Sequence, residues 1–291
     1  MQPTITEDAL IAYYEIRARA EQRFEAERGQ SNADRDELRE RIEDASQTLY
    51  RERLGSLKDL TIGEIGIGSG DFVRHAFHER ARAIVLIDIS KDRLRGVERE
   101  IGELGSSTQT TSIVASAQKM EGVGDGALDL LVAKEVIEHL TDYRPFLSEC
   151  RRVLRKGGRL YLTTPNRHCI DLWPRVILGR LFPPKKLTGE PLIRQIFGHL
   201  FDYITADECK SLAETLPPGF KEHIHEFTPG ELLDALTAYG FRVLRRWGTP
   251  PQMFYHELRP FAEALLPGWT KAERRSYALG DDLRIIAEQI S

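Results

Sequence analysis

Cysteine is scarce in this 291-residue chain. Cys150, Cys169 and Cys209 are widely spaced and odd in number, and no C-x-x-C pair occurs. That excludes a disulfide scaffold and a cysteine-rich zinc site, and it points to a reducing cytoplasm. Long apolar runs are missing too: none approaches the roughly 20 residues that cross a bilayer, so no membrane partner is expected. The opening MQPTITEDALIAYYEIRAR lacks the basic start and apolar stretch of a secretory signal. Neither sign of charge is in large excess, with 41 Lys+Arg against 45 Asp+Glu and a net charge of -4. Such a chain is not, as a whole, a nucleic-acid coat or a polybasic membrane binder. Lysine is rare among the basic residues, ten against 31 arginines. Arginine is the better fork for carboxylate and phosphate, although genome composition accounts for the bias more simply.

What is present suits a globular protein with a full core: 41% hydrophobic and 30% charged residues. At about 150 residues per domain, the length fits two units or one decorated domain. Residues 1–60 read as helices, with Thr6 as N-cap before Glu7 and Asp8, a break at Gly29–Asn32, and Leu38, Ile42, Ala45 and Leu49 at helical spacing. This segment reads as a charged packing appendage, with a lid or dimerisation arm as the alternative. From residue 61 short apolar strands appear at 61–66, 83–88, 111–116, 128–133 and 158–164. Helical stretches at 71–80, 90–103 and 142–154 separate most of them. Buried strands alternating with helices predict an α/β, doubly wound, Rossmann-like, mostly parallel sheet, with ligands at the carboxyl ends of the strands. Residues 167–222, rich in proline, interrupt the pattern and read as an inserted substrate-binding or lid segment. A helix at 228–240, a strand at 241–247, a helical stretch at 257–266 and a last strand at 282–289 follow. The expected division is therefore 1–60, then 61–166 with 223–291, then 167–222 as the insertion.

Glu64-Ile65-Gly66-Ile67-Gly68-Ser69-Gly70-Asp71 joins the first strand to a helix. The glycines allow a tight turn and close approach of a ligand, and the helix start offers N–H groups to a carboxylate. A nicotinamide fingerprint needs G-x-G-x-x-G, and the last position here is Asp71, so that match fails. Asp88 follows 22 residues after Gly66 at the end of the second strand, where a carboxylate can accept both hydroxyls of a ribose.

These residues resemble the class I S-adenosylmethionine-dependent methyltransferases, whose fold has seven strands. Glu64-x-Gly66-x-Gly68-x-Gly70 resembles their first motif and Asp88 their ribose-binding acid. Leu128–Leu140 resembles their fourth-strand motif, and Val153–Leu160 the lead into the fifth strand. Thr164-Pro165-Asn166 and His223–Thr228 resemble the branch that includes ubiquinone-pathway, sugar and natural-product O-methyltransferases. The likeness covers about 61–166 and 223–291. It implies cofactor contacts at Glu64, Gly66, Gly68, Gly70, Asp88, Ile89, Ala117 and Lys134. Ser116 stands where the family often has an Asp beside the adenine amine; a serine can still hydrogen-bond there with less charge assistance.

Methyl transfer from a sulfonium leaves the protein to position the acceptor and remove its proton. Glu135, Glu138 and His139 stand at i, i+3 and i+4, and share one face if a helix begins there. They can form a general base oriented by a carboxylate, or ligands of a divalent metal with His223 as a fourth, or a structural cap. At these four positions the chain resembles small-RNA 3′-end 2′-O-methyltransferases, which carry a magnesium-type site of two Glu and two His. Mg, Mn, Fe and Zn fit such a donor set about equally. His225, His168 and His199 read as surface, lid or structural residues, and Asn166 either faces the site or forms the turn with Pro165.

Residues 167–201 hold Arg167, Arg175, Arg180, Lys185, Lys186 and Arg194 against Asp171 and Glu190, with Trp173, Phe182, Phe197 and Phe201 interleaved. A lid over an anionic acceptor, an RNA-binding surface, and helices that merely close a pocket all fit this pattern. The expected function is methyl transfer from S-adenosylmethionine to a hydroxyl oxygen of a small, sugar-like or secondary metabolite. A metal-dependent RNA-terminal ribose methyltransferase and a non-catalytic cofactor-binding protein are the alternatives. Near-neutral charge argues against nucleic acid, and a homo-oligomer is compatible with the sequence.

Overall fold

Ala9 donates its N–H to Thr6 Oγ1 at 3.3 Å, so the first helix starts at the capping residue the sequence offers. The computed structural model describes residues 5–28, 47–103, 108–169, 187–218, 220–249, 277–278 and 281–290. The expected break at Gly29–Asn32, the repeat at Leu38, Ile42 and Ala45, the helix at 257–266 and most of the insertion's charges lie outside these residues. The chain divides into two compact units, Met1–Ala117 with Lys186–Glu222, and Gln118–Lys185 with His223–Ser291.

The first unit carries helix α1 (Glu7–Arg28), helix α2 (47–54), strand β1 (Thr61–Ile65), helix α3 (Asp71–His78), strand β2 (Ala83–Asp88), helix α4 (Lys91–Glu103) and strand β3 (Gln109–Val114). β1 pairs with β2 and β2 with β3, all parallel. β2 is the continuous apolar run of the sequence, with Ile84, Leu86 and Ile87 at 1% exposure or less. β3 begins and ends two residues before the expected 111–116. Its apolar Ile113-Val114-Ala115 suggested a later start, but the ladder with β2 runs from Ala83↔Gln109 to Asp88↔Val114. β3 is mostly exposed, so side-chain burial carried little signal there.

From the insertion, the same unit carries helix α6 (Gly189–Phe197), a 3-10 turn (Gly198–Tyr203) and helix α7 (Ala206–Thr215). α1 packs on all three. Tyr13, fully buried, meets Phe197 and Phe220 edge-on at 5.6 and 5.5 Å. Arg17 donates to Glu222 and, at 2.7 Å, to the Tyr13 hydroxyl. Glu208 closes the capping box of α7 with Thr205 and receives Arg19 and Arg23. Burial alone would raise its pKa, but these donors hold it at about 2. The charges of α1 are thus tied to the insertion's helices.

The second unit carries strand β4 (Leu128–Lys134), a 3-10 turn (Ile137–His139), helix α5 (Tyr143–Val153), strand β5 (Leu154–Pro165), helix α8 (Pro229–Ala238), strand β6 (Phe241–Trp247) and strand β7 (Asp282–Gln289). Asp142 caps α5 by accepting Arg144 N–H, and Thr228 with Glu231 forms the capping box of α8. β4 and β5 are parallel, whereas β7 is antiparallel to both β5 and β6. Tyr161 stacks on Trp247 with centroids 6.0 Å apart. Numbered along the chain, the strands have the order β3-β2-β1-β4-β5-β7-β6. The expected seven-stranded, mostly parallel α/β sheet is what the chain forms.

Candidate functional site

In the first unit, the loop from β1 to α3 turns through three left-handed glycines, Gly66 (φ 67°), Gly68 (φ 52°) and Gly70 (φ 75°). A Cβ on Gly70 would lie 3.1 Å from Val97 Cγ2 of α4, so that glycine serves packing. A Cβ on Gly68 would meet nothing within 4 Å, so the loop there is open on its outer side. Arg93 and Arg74 brace the loop by donating to the carbonyls of Gly68 (3.0 Å) and Ser69 (2.9 Å).

Asp88, at the end of β2, is buried and accepts Ile67 N–H on Oδ2 (3.0 Å) and Ser90 N–H on Oδ1 (2.8 Å). Each carboxylate oxygen keeps a further lone pair. Burial raises its pKa, opposed by those N–H groups and by Arg93. Glu64 is completely buried on β1, Ile89 and Ser116 are half-buried, and Ala117 is buried.

In the second unit, the chain leaves β4 at Lys134 and turns at Glu135, a non-glycine residue at φ 52°. Only Ile137–His139 then form a short 3-10 turn. No α-helix begins at Glu135, so the shared helical face expected for Glu135, Glu138 and His139 does not form. The strained turn is held by β5: Glu135 N–H donates to the Thr163 carbonyl (3.1 Å), and Thr163 Oγ1–H to Glu135 Oε1 (2.7 Å). Thr164 Oγ1–H donates to Glu138 Oε2 at 3.0 Å.

Glu138 is fully buried, and its carbonyl accepts the N–H groups of Ile224 (2.7 Å) and His225 (3.0 Å). That double clip brings the 223–225 segment alongside the turn. Glu138, His139 and His223 each offer a ligand atom, all within 4.8 Å of one another. Glu138 Oε1 lies 3.7 Å from His139 Nε2 and has no hydrogen-bond partner. The two imidazoles meet edge-on at 5.2 Å. Burial and the neighbouring Glu135 carboxylate both push the Glu138 carboxyl well above the ordinary carboxylate range. Glu135 is exposed as a residue, yet crowding of its carboxyl raises it in the same direction, against the Thr163 hydrogen bond.

Residues 63–162 match the family described as "Methyltransferase domain". The chain is 30% identical over 108 residues to a ubiquinone biosynthesis O-methyltransferase of Caulobacter vibrioides, a stretch that is 37% of this chain and 42% of that protein. Over 43 residues it is 54% identical to a "probable S-adenosylmethionine-dependent methyltransferase" of Mycolicibacterium smegmatis, covering 15% of this chain and 17% of the relative. It carries a class I S-adenosylmethionine-dependent methyltransferase domain. The chain thus spans less than half the length of these curated relatives.

The methyltransferase fold is also that of a geranyl diphosphate C-methyltransferase from Streptomyces coelicolor A3(2), solved with Mg2+, geranyl diphosphate and S-adenosyl-L-homocysteine. The TM-score is 0.53 at 21% identity, over 86% of this chain and 80% of that one. A Listeria monocytogenes structure described as a putative S-adenosylmethionine-dependent methyltransferase gives 0.53 at 13%, over 85% and 100%.

Elsewhere in the second unit, Asn166 is fully buried and forms the turn after β5, its Oδ1 accepting His168 N–H and its amide donating to the Ala278 carbonyl. His225 packs between Phe227 (4.3 Å) and Tyr143 (5.4 Å). In the first unit His199 lies against Phe24. Of the insertion's cations, Arg167 pairs with Glu231 and Arg194 with Glu190, Arg194 also lying over Phe201 at 3.9 Å. Arg175, Arg180, Lys185 and Lys186, with Asp171, Trp173 and Phe182, lie outside the described residues. No helix of the described residues is long and apolar enough to cross a membrane. Sequence reading missed Thr163, and it noted Thr164 only as part of the Thr164-Pro165-Asn166 motif. The available signal was their place, two hydroxyls at the carboxyl end of the fifth strand.

Proposed function

We propose that this protein transfers the methyl group of S-adenosylmethionine to a hydroxyl oxygen of a small-molecule acceptor. The cofactor fits the first unit: the ribose hydroxyls suit the remaining lone pairs of Asp88, and the open side of Gly68 admits the amino-acid end. Glu64, Gly66, Gly70, Ile89, Ser116, Ala117 and Lys134 complete the proposed cofactor set. Three cysteines without disulfides favour a reducing compartment, the cytoplasm.

The observation that carries the oxygen assignment is the unpartnered Oε1 of fully buried Glu138, grouped with His139 and His223. An alcohol needs activation that an amine often does not. One carboxylate oxygen and two imidazole nitrogens fit a divalent cation, which would act as a Lewis acid toward the acceptor hydroxyl. Glu138, His139 and His223 would hold it. Glu135, the carboxylate outside that group, takes the hydroxyl proton, held in place by Thr163 Oγ1–H on its Oε1 at 2.7 Å. The acceptor oxygen forms its bond to the methyl carbon as the carbon–sulfur bond breaks, giving a methyl ether and S-adenosylhomocysteine. A second reading needs no cation: Glu138, 3.7 Å from His139, orients that imidazole as the base.

The test is transfer of labelled methyl into fractionated metabolite and RNA pools. Label in a small-molecule ether supports the proposal. Label at RNA ends would replace it with ribose methylation, and no label with cofactor still bound would indicate a non-catalytic role.

A further inference from the structure

Two neighbouring threonines divide the two carboxylates between them. Thr163 Oγ1 serves Glu135 at 2.7 Å, and Thr164 Oγ1 serves Glu138 at 3.0 Å. Both hydroxyls sit where β5 ends, and both carboxylates lie in the five residues after β4. Their backbones are joined as well, since Lys134 is paired with Thr163 in the ladder. Thr164 and Glu138 are each fully buried, so no water competes for this bond.

A buried glutamate has three side-chain torsions to fix; here two backbone clips anchor the residue and one hydroxyl holds its carboxylate. Its carbonyl is clipped by Ile224 and His225, its Oε2 is taken by Thr164, and only Oε1 remains, on the side of His139. Without the hydroxyl, Oε2 would lose its one hydroxyl donor, and the carboxylate would be held less firmly about its last torsion. Groups that hold a ligand in this way typically contribute 10–100-fold to cation affinity.

We propose that Thr164 is a positioning residue of the cation site, aiming Glu138 Oε1 at the imidazoles of His139 and His223, and that Thr163 does not share this task. The inference rests on the cation reading given above. Thr163 orders Glu135, the group assigned to the proton, and reaches Glu138 only through that carboxyl.

Direct titration of the full chain with Mn2+, followed by the loss of the free-ion paramagnetic signal, reads the site without turnover. Thr164→Val weakens Mn2+ binding at least tenfold, Thr164→Ser restores it to within about threefold, and Thr163→Val stays near wild type. S-adenosylhomocysteine affinity and thermal midpoint, measured in parallel, change little in Thr164→Ser. Thr164→Ala is read in the same titration if the valine variant does not fold. Wild-type affinity in both Thr164→Val and Thr164→Ala, or an equal loss in Thr163→Val, overturns the inference while leaving the cation reading intact. Absence of saturable Mn2+ binding in the wild type overturns the cation reading, and this inference with it.

Discussion

Tyr50 donates its phenolic hydroxyl to the Asp71 carboxylate at 2.7 Å, tying α2 to the first residue of the helix that follows the glycine loop. The next residue, Arg51, makes a second tie at the far end of that helix, reaching Glu79 at 2.7 Å. Between these two bonds lies His75, fully buried against the rings of Tyr50 and Phe72, with neither ring nitrogen hydrogen-bonded.

This histidine makes stability depend on pH. Burial lowers its pKa from 6.5 to about 4. Between those values the unfolded chain binds a proton that the folded chain refuses, so stability falls as pH drops from about 6.5 to about 4 and changes no further below. A shift of this size corresponds to at most about 3 kcal/mol. Urea unfolding of His75→Leu across that range should show a flatter acid limb than wild type. An identical slope would assign the acid sensitivity to other groups.

Asp88 is expected to hold the cofactor and the loop together. Asp88→Ala should weaken S-adenosylhomocysteine binding tenfold or more by calorimetry, about 1.4 kcal/mol or greater. It should also lower the thermal midpoint, because Ile67 and Ser90 lose their acceptor. Unchanged affinity would remove the ribose assignment.

The loop glycines should separate by phenotype. Both have positive φ, so alanine at either costs about 1 kcal/mol in backbone strain. Gly70→Ala adds a clash with Val97 and should act on stability. Gly68→Ala meets no protein atom, so its larger effect should fall on cofactor affinity. Paired melts and calorimetry decide this, and equal affinity losses would contradict it.

Chelation tests the cluster as a whole. With a cation held by Glu138, His139 and His223, chelator should abolish turnover and divalent ion should restore it. Turnover indifferent to chelator favours the metal-free base, and His139→Asn should then be the more damaging change.

The sequence displayed β2 plainly, as a continuous apolar run that one strand can bury by itself, and β7 more weakly, by alternation. β3 was misplaced by two residues because an exposed strand takes its register from its neighbour's hydrogen bonds rather than from its own side chains. The i, i+3, i+4 spacing of Glu135, Glu138 and His139 was visible, but spacing cannot reveal a residue forced to φ 52° by a carbonyl 28 positions away. For the same reason Thr163 and Thr164 carried no message until their partners were placed beside them. Tyr13 against Phe197 is a contact of that kind too, since helical periodicity names the face and not the neighbour.

The recognisable family segment begins at residue 63, while Tyr13, Arg17, Arg19 and Arg23 already sit on residues 197–222. A fragment begun at residue 63 and kept to the end of the chain would uncover the aromatic floor formed by Phe197, Tyr203 and Phe220, and would leave Glu208 and Glu222 without their arginines. Such a fragment should precipitate or be digested from its newly bared helices, so expression and crystallisation trials belong with the first helix retained.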